Sequence, residues 1–186
     1  MSEAAGAVCL VVALLATLAL VTHAPGDPLL AWTPVENAAG VIGANLSAAL
    51  LGAFGLGSAV LVAVCAVVGS WLVMARPLGS LPRGVLIGSL LLLVALATTP
   101  ALLVNVAPTR FATAPAGWFG THLALIERTL LSPWGGLLLN AVFVVAGLLR
   151  VTNVPTASAI GAVAAGASAT GRGALRLTVL SLRGAS

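Results

Sequence analysis

Four stretches of the chain are apolar for long enough to cross a bilayer: residues 4–22, 56–75, 84–104 and 134–149. A helix rises about 1.5 Å per residue, so about 20 residues cover about 30 Å of hydrocarbon. Each stretch is near that length, the fourth being the shortest. Arg76-Pro77 stops the second and Arg150 ends the fourth. The first lacks a positively charged lead and carries Glu3 instead, so it reads as a retained span and not a cleaved signal.

The connections between spans differ in kind. A short turn joins spans two and three. The other two connections are long and carry helical signals. In the first, Thr33-Pro34-Val35-Glu36 reads as a capping box with proline at the first helical position, predicting a helix over 34–54. Gly55-Leu56-Gly57 then breaks it before span two. In the second, Pro100, Pro108 and Pro115 predict an irregular opening, followed by a helix over 116–131. Phe119, Leu123, Ile126 and Leu130 recur at helical spacing on one face there, with Thr121 and Arg128 away from that stripe, predicting an amphipathic interfacial helix with Trp118 near the headgroups. Ser132-Pro133 would cap span four.

The two long connections resemble each other. Gly40-x-x-Gly43-x-x-Leu46 parallels Gly117-x-x-Gly120-x-x-Leu123, and residues 50–55 parallel residues 130–135. On that alignment the gap between the two blocks differs by three residues. The pattern describes an all-α integral membrane protein with four transmembrane helices. They form two hairpins, each with an external interfacial helix. Residues 1–152 form the four-span membrane domain. Residues 153–186, rich in Ala, Gly and Ser, read as a cytoplasmic linker with a short basic segment.

Composition agrees: 60% of residues are hydrophobic and 6% charged, where a soluble domain carries about a quarter. All eight basic residues are Arg. With four spans, Arg76, Arg83, Arg150, Arg172, Arg176 and Arg183 fall on one side, and Arg110 and Arg128 on the other with Asp27, Glu36 and Glu127. The positive-inside rule then puts both termini in the cytoplasm. Arg172, Arg176 and Arg183 share one side of a helix if 173–182 folds, which suits a surface of anionic lipid.

The absence of Lys removes Walker A and Schiff-base chemistry from these residues. No His-Glu-x-x-His or Cys-x-x-Cys spacing is present, and His23/Asp27 and His122/Glu127 are the only His–acid neighbours. Cys9 and Cys65 lie in apolar runs and read as small packing residues. No span carries a charge or His in its middle, which weighs against an ion or proton path. Asn140 is the most polar side chain deep in a span and could bond across helices. Gly84-x-x-x-Gly88 would permit a close helix approach. No catalytic, cofactor or metal residue is assigned, and no cofactor is expected. The residues singled out for interaction are Asp27, Glu36, Asn37, Glu127 and Arg128, which concentrate polarity in the external connections.

The residue order Thr22-His23-Ala24-Pro25-Gly26-Asp27-Pro28 resembles the Ser-Tyr-x-Pro-x-Asp-Pro stretch of FtsK/SpoIIIE DNA translocases. Asn37, Gly40, Gly43-Ala44, Leu46, Leu50-Leu51 and Phe54-Gly55-Leu56-Gly57-Ser58 are similar in order and spacing to their next segment. Residues 136–149 resemble their fourth span. The likeness covers roughly 4–152, the N-terminal four-span region. It departs at His23, where an aromatic is usual, and at Ala48, where an acid is common. The family's long linker and ATPase motor have no counterpart in these residues.

The resemblance implies a bacterial inner-membrane anchor and interaction module of cell division and chromosome segregation, placed at the septum, without its own motor. It is either a piece or split form of a translocase, or an anchor for a separate motor. Expected partners are the lipid bilayer, cell-division proteins, a separate motor ATPase and further copies of the chain. Direct contact with DNA is not expected. The alternatives are a small channel or transporter subunit and a purely structural membrane protein.

Overall fold

In hydrocarbon a backbone must satisfy its own polar groups, so long apolar runs fold as helices. The computed structural model describes residues 2–27, 35–104 and 116–152, and among them every regular element is helical. The helices are α1 (Ser2–Val21), α2 (Gly40–Phe54), α3 (Ser58–Val73), α4 (Arg83–Leu103) and α5 (Gly117–Thr152). Short 3-10 turns at Gly55–Gly57 and Leu78–Ser80 join α2 to α3 and α3 to α4. Four helical stretches are long and apolar enough to cross a membrane: α1, α2 with α3, α4, and α5. The molecule is a multi-pass helical membrane protein.

Both long stretches are broken at matching places. α2 ends at Gly55, whose φ is 55° and ψ −132°. α5 breaks at Ser132, with φ 62° and ψ 166°, just before Pro133. Each is therefore a cap helix followed by a span: α2 then α3, and residues 117–131 then residues 133–152 of α5. The cap helices also begin alike, at Gly40 (φ 67°) and Gly117 (φ 69°). Gly40, Gly43 and Gly55 are each followed 77 residues later by Gly117, Gly120 and Ser132. The two cap helices hold one register from start to break, so the three-residue gap of the sequence alignment disappears there. The eye is drawn to Leu-Leu pairs, whereas the backbone break is what the two halves share.

The hairpins also close alike. α1 and α3 cross where a Cβ on Gly6 would lie 2.8 Å from the Gly69 carbonyl oxygen. α4 and α5 cross where a Cβ on Gly88 would lie 2.6 Å from the Gly147 carbonyl oxygen. Side chains are absent at both crossings because the backbones themselves touch. This is how helices associate in lipid, where burying Leu against Leu gains little over Leu against acyl chain. Ala13, Ala16, Ala19, Ala95 and Ala97 accordingly form much of the interior. Leu14, Leu130, Trp134 and Leu138 are at least 70% exposed and face the surroundings.

Two sequence expectations need correction. The first cap helix starts at Gly40, not at 34, because residues 35–39 are held in a non-helical turn described below. Thr33 and Pro34 lie outside the described residues. On the second cap helix Ile126 and Leu130 face outward, Phe119 lies against the Phe54 ring, and the inward face is Gly120, Ala124 and Glu127. The rule that large apolar residues turn inward belongs to water, and here small residues turn inward. Finally, Glu127 and Asn37 are 9% and 3% exposed, so neither stands on an open surface. Residues 1–151 form one compact unit. The linker and basic segment expected over 153–186 lie outside the described residues, as does Arg110.

Candidate functional site: the cap layer

The cap helices and the segments leading into them carry both histidines and three of the four acidic residues, Asp27, Glu36 and Glu127. The turn from α1 into α2 is built on Asp27 and Asn37. The Glu36 backbone N–H donates to Asp27 Oδ1 at 2.9 Å, and that of Asn37 donates to Oδ2 at 3.2 Å. Asn37 Nδ2 donates to the Ala19 carbonyl at 2.9 Å, and Asn37 Oδ1 accepts from the Ala39 N–H at 2.9 Å. The Thr22 hydroxyl donates to the Leu18 carbonyl and accepts from the Ala38 N–H. Every one of these bonds satisfies a backbone group at a helix end or turn, where an orphan would be costly. This network displaces the capping box read from the sequence.

α2 then packs back on α1. Its buried face is Gly43, Ala44 and Ser47, and a Cβ on Gly43 would touch Ala19. The Ser47 hydroxyl donates to the Ala44 carbonyl, so His23 Nδ1–H donates to Ser47 Oγ at 3.0 Å. The Ser–His–acid set invites a catalytic reading, but its geometry opposes one. Ser47 is fully buried, and the Asp27 carboxylate is spent on backbone N–H groups.

The second cap helix is tied differently. Asn140, deep in α5, donates through Nδ2 to Thr98 Oγ1 of α4 at 2.7 Å and to Glu127 Oε2 at 3.4 Å. The Thr98 hydroxyl in turn donates to the Val94 carbonyl at 3.0 Å. Thr98 and Asn140 are 0% and 2% exposed, and Asn140 Oδ1 is buried without a hydrogen-bond partner. The cross-helix bond expected of Asn140 is present. The Glu127 contact was not legible in sequence, although Glu127 shares a helix face with Gly120 and Ala124, seven and three residues before it.

The five residues singled out from sequence thus divide. Asp27 and Asn37 meet in one network, Glu127 lies in a second, and the Glu36 and Arg128 side chains are exposed. Arg128 lines a cleft of about 440 Å³ with Thr121, Leu125, Pro100 and Leu102, between α4 and α5. Among the described residues, no group of three or more His, Cys, Asp or Glu could hold a metal ion.

The arrangement is a bundle with a polar-pinned cap layer. The family model for the 4TM region of DNA translocase FtsK/SpoIIIE matches residues 1–164. The chain belongs to that family. The match extends beyond the 4–152 range of the resemblance at both ends. No curated protein and no solved structure matches the chain. The 4TM region is a membrane region and not itself a catalytic domain.

At the opposite end of the bundle, Arg76, Arg83 and Arg150 are exposed. The Arg76 guanidinium lies over the Trp71 ring at 4.7 Å, and Trp71 Nε1 donates to Ser80 Oγ at 3.2 Å. An aromatic and a cation stacked at a span end suit the headgroup boundary.

Proposed function

We propose that this chain serves as the membrane anchor and interaction module of an FtsK/SpoIIIE-type DNA translocase in bacterial cell division and chromosome segregation. The observation that carries this reading is the family match over residues 1–164. These 186 residues contain no Lys, and hence no Walker A motif, so the energy of translocation comes from outside them. The arginine end faces the cytoplasm by the positive-inside rule, with both termini, and the cap layer faces outward. In this reading the cap layer meets division proteins, and a motor engages the chain from the cytoplasmic side. A channel or transporter role has no specific observation in its favour.

Localisation tests the proposal. A fluorescent fusion of the chain, expressed in dividing bacteria, should concentrate at the division site. Uniform distribution around the cell periphery through the whole division cycle refutes the reading.

A further inference from the structure

An ionised carboxylate is costly to bury without a counter-charge or several donors. Glu127 is buried with little of either. Its side chain is 9% exposed and lies on the inward face of the second cap helix. A Cβ on Gly136 of the following span would touch both the Glu127 Cβ and Leu102. Asn140 Nδ2 donates to Glu127 Oε2 at 3.4 Å, longer than the usual ~3.0 Å. Thr98, its other polar neighbour, gives its hydroxyl proton to the Val94 carbonyl. Asp27 is held otherwise, with a backbone N–H donating to each carboxyl oxygen and a partly exposed side chain.

The described helices bring no charge to this contact. On the same helix, His122 and Arg128 are exposed while Glu127 turns inward. The first cap helix has no ionisable side chain, and α3 has only the Cys65 thiol. α4 has only Arg83 and the span of α5 only Arg150, both at the opposite end of the bundle. The cluster is also short of a donor. Asn140 Nδ2 commits its hydrogens to Thr98 and Glu127, while Asn140 Oδ1 is buried without a partner. A proton on Glu127 removes the charge and adds an O–H donor to a cluster that has acceptors to spare. Burial accordingly pushes the Glu127 carboxyl above its ordinary value, against smaller opposing effects of Thr98 and Asn140.

We propose that Glu127, Asn140 and Thr98 form a proton-binding site that latches the second cap helix onto α4 and the span of α5. Glu127 keeps its proton above the range in which a carboxyl in water has lost it. With the proton in place, only neutral groups meet between the helices, and the cap helix stays down. Losing the proton leaves a charge in the contact, and the cap helix parts from the span to hydrate it. The closed state binds the proton more tightly than the open one. Closure is therefore fully favoured below the ordinary carboxyl range and weakens as pH rises through the range of Glu127 itself. That the latch reads external and not cytoplasmic pH rests on the proposed orientation; the proton site does not.

Infrared spectroscopy of the full chain in lipid nanodiscs tests the proton, and hydrogen–deuterium exchange tests the latch. The glutamates are Glu3, Glu36 and Glu127. A carboxylic C=O stretch that shifts with isotope-labelled glutamate and is missing from Glu127→Gln should persist above about pH 5, where a glutamate in water is mostly ionised. As that band fades, the amide protection of residues 117–131, corrected for intrinsic exchange, should fall about tenfold per pH unit. Glu127→Gln cannot ionise, so its protection, whatever its absolute level, should show no such step. Should that variant not fold, Glu3→Gln with Glu36→Gln leaves Glu127 as the one labelled carboxyl, and the same band and step decide. Absence of the band above that range overturns the proposal. So does a band that fades with protection unchanged, or a step retained in Glu127→Gln.

Discussion

Ser132 holds a backbone conformation that is almost the preserve of glycine. Its φ of 62° and ψ of 166° place an L side chain where crowding costs about 1–3 kcal/mol. The following Pro133 accepts that ψ but does nothing to relieve the φ. At the equivalent break in the first hairpin the residue is Gly55. Ser132→Gly should therefore stabilise the protein. The gain is the relieved strain less the roughly 0.5–1 kcal/mol of extra chain freedom that glycine brings to the unfolded state, about 1 kcal/mol net. The Ser132 hydroxyl is exposed, so little is lost with it. At this chain length 1 kcal/mol corresponds to about 2–4 °C in Tm. Ser132→Ala keeps the strain and should leave Tm unchanged within about 1 °C, on the same scale. The reciprocal Gly55→Ser should cost about 1–3 kcal/mol. Cys9 and Cys65 are half-buried, so thermal unfolding in detergent can be followed with a thiol-reactive dye. If Ser132→Gly fails to raise Tm while Gly55→Ser is harmless, the break is not held as described.

The remaining predictions concern the packing between spans. A double-mutant cycle of Thr98→Val and Asn140→Leu, read by the same thermal assay, should give a coupling near 0.6 kcal/mol and below about 1.7 kcal/mol, the range found for hydrogen bonds between membrane helices; zero coupling would contradict the 2.7 Å bond between them. Cys65 Sγ lies 3.4 Å from the Cys9 carbonyl oxygen, and both thiols are free. Mild copper-phenanthroline oxidation should join them within one chain, seen by mass spectrometry as the loss of two hydrogens and of maleimide reactivity. Failure to join, with the thiols otherwise reactive, would refute the α1–α3 alignment.

The spans were legible because the bilayer imposes one simple demand, about 20 apolar residues in a helix, and each run meets it. The span starts and ends agree closely: 84–104 was expected where α4 is Arg83–Leu103, and 4–22 where α1 is Ser2–Val21. The breaks at Gly55 and near Ser132-Pro133 were also legible, since glycine and proline advertise them. The inward faces were not. In water the Phe119, Leu123, Ile126, Leu130 stripe would be the buried one, and the moment of the pattern gives no sign that lipid reverses it. The start of α2 was lost for another reason. Thr33-Pro34-Val35-Glu36 carries a valid local signal, but Asp27, nine and ten residues upstream, takes the Glu36 and Asn37 N–H groups into a turn. No local pattern shows a long-range acceptor of that kind.

The same distinction decides where a partner could be met. The two hairpins share a register but fasten their cap helices by unlike means. The first is tied at its start through Asp27, Asn37 and the His23–Ser47 bond, and the second along its length through Glu127, Asn140 and Thr98. Replacing Asp27, Asn37 or Glu127 would loosen the cap layer, so a loss of localisation in such variants would report folding and not recognition. Glu36 and Arg128 are different: their side chains are exposed on the cap layer, one in each hairpin. Polarity in this layer is thus mostly structural, and Glu36 and Arg128 are the charged side chains among the described residues that the cap layer presents at its surface.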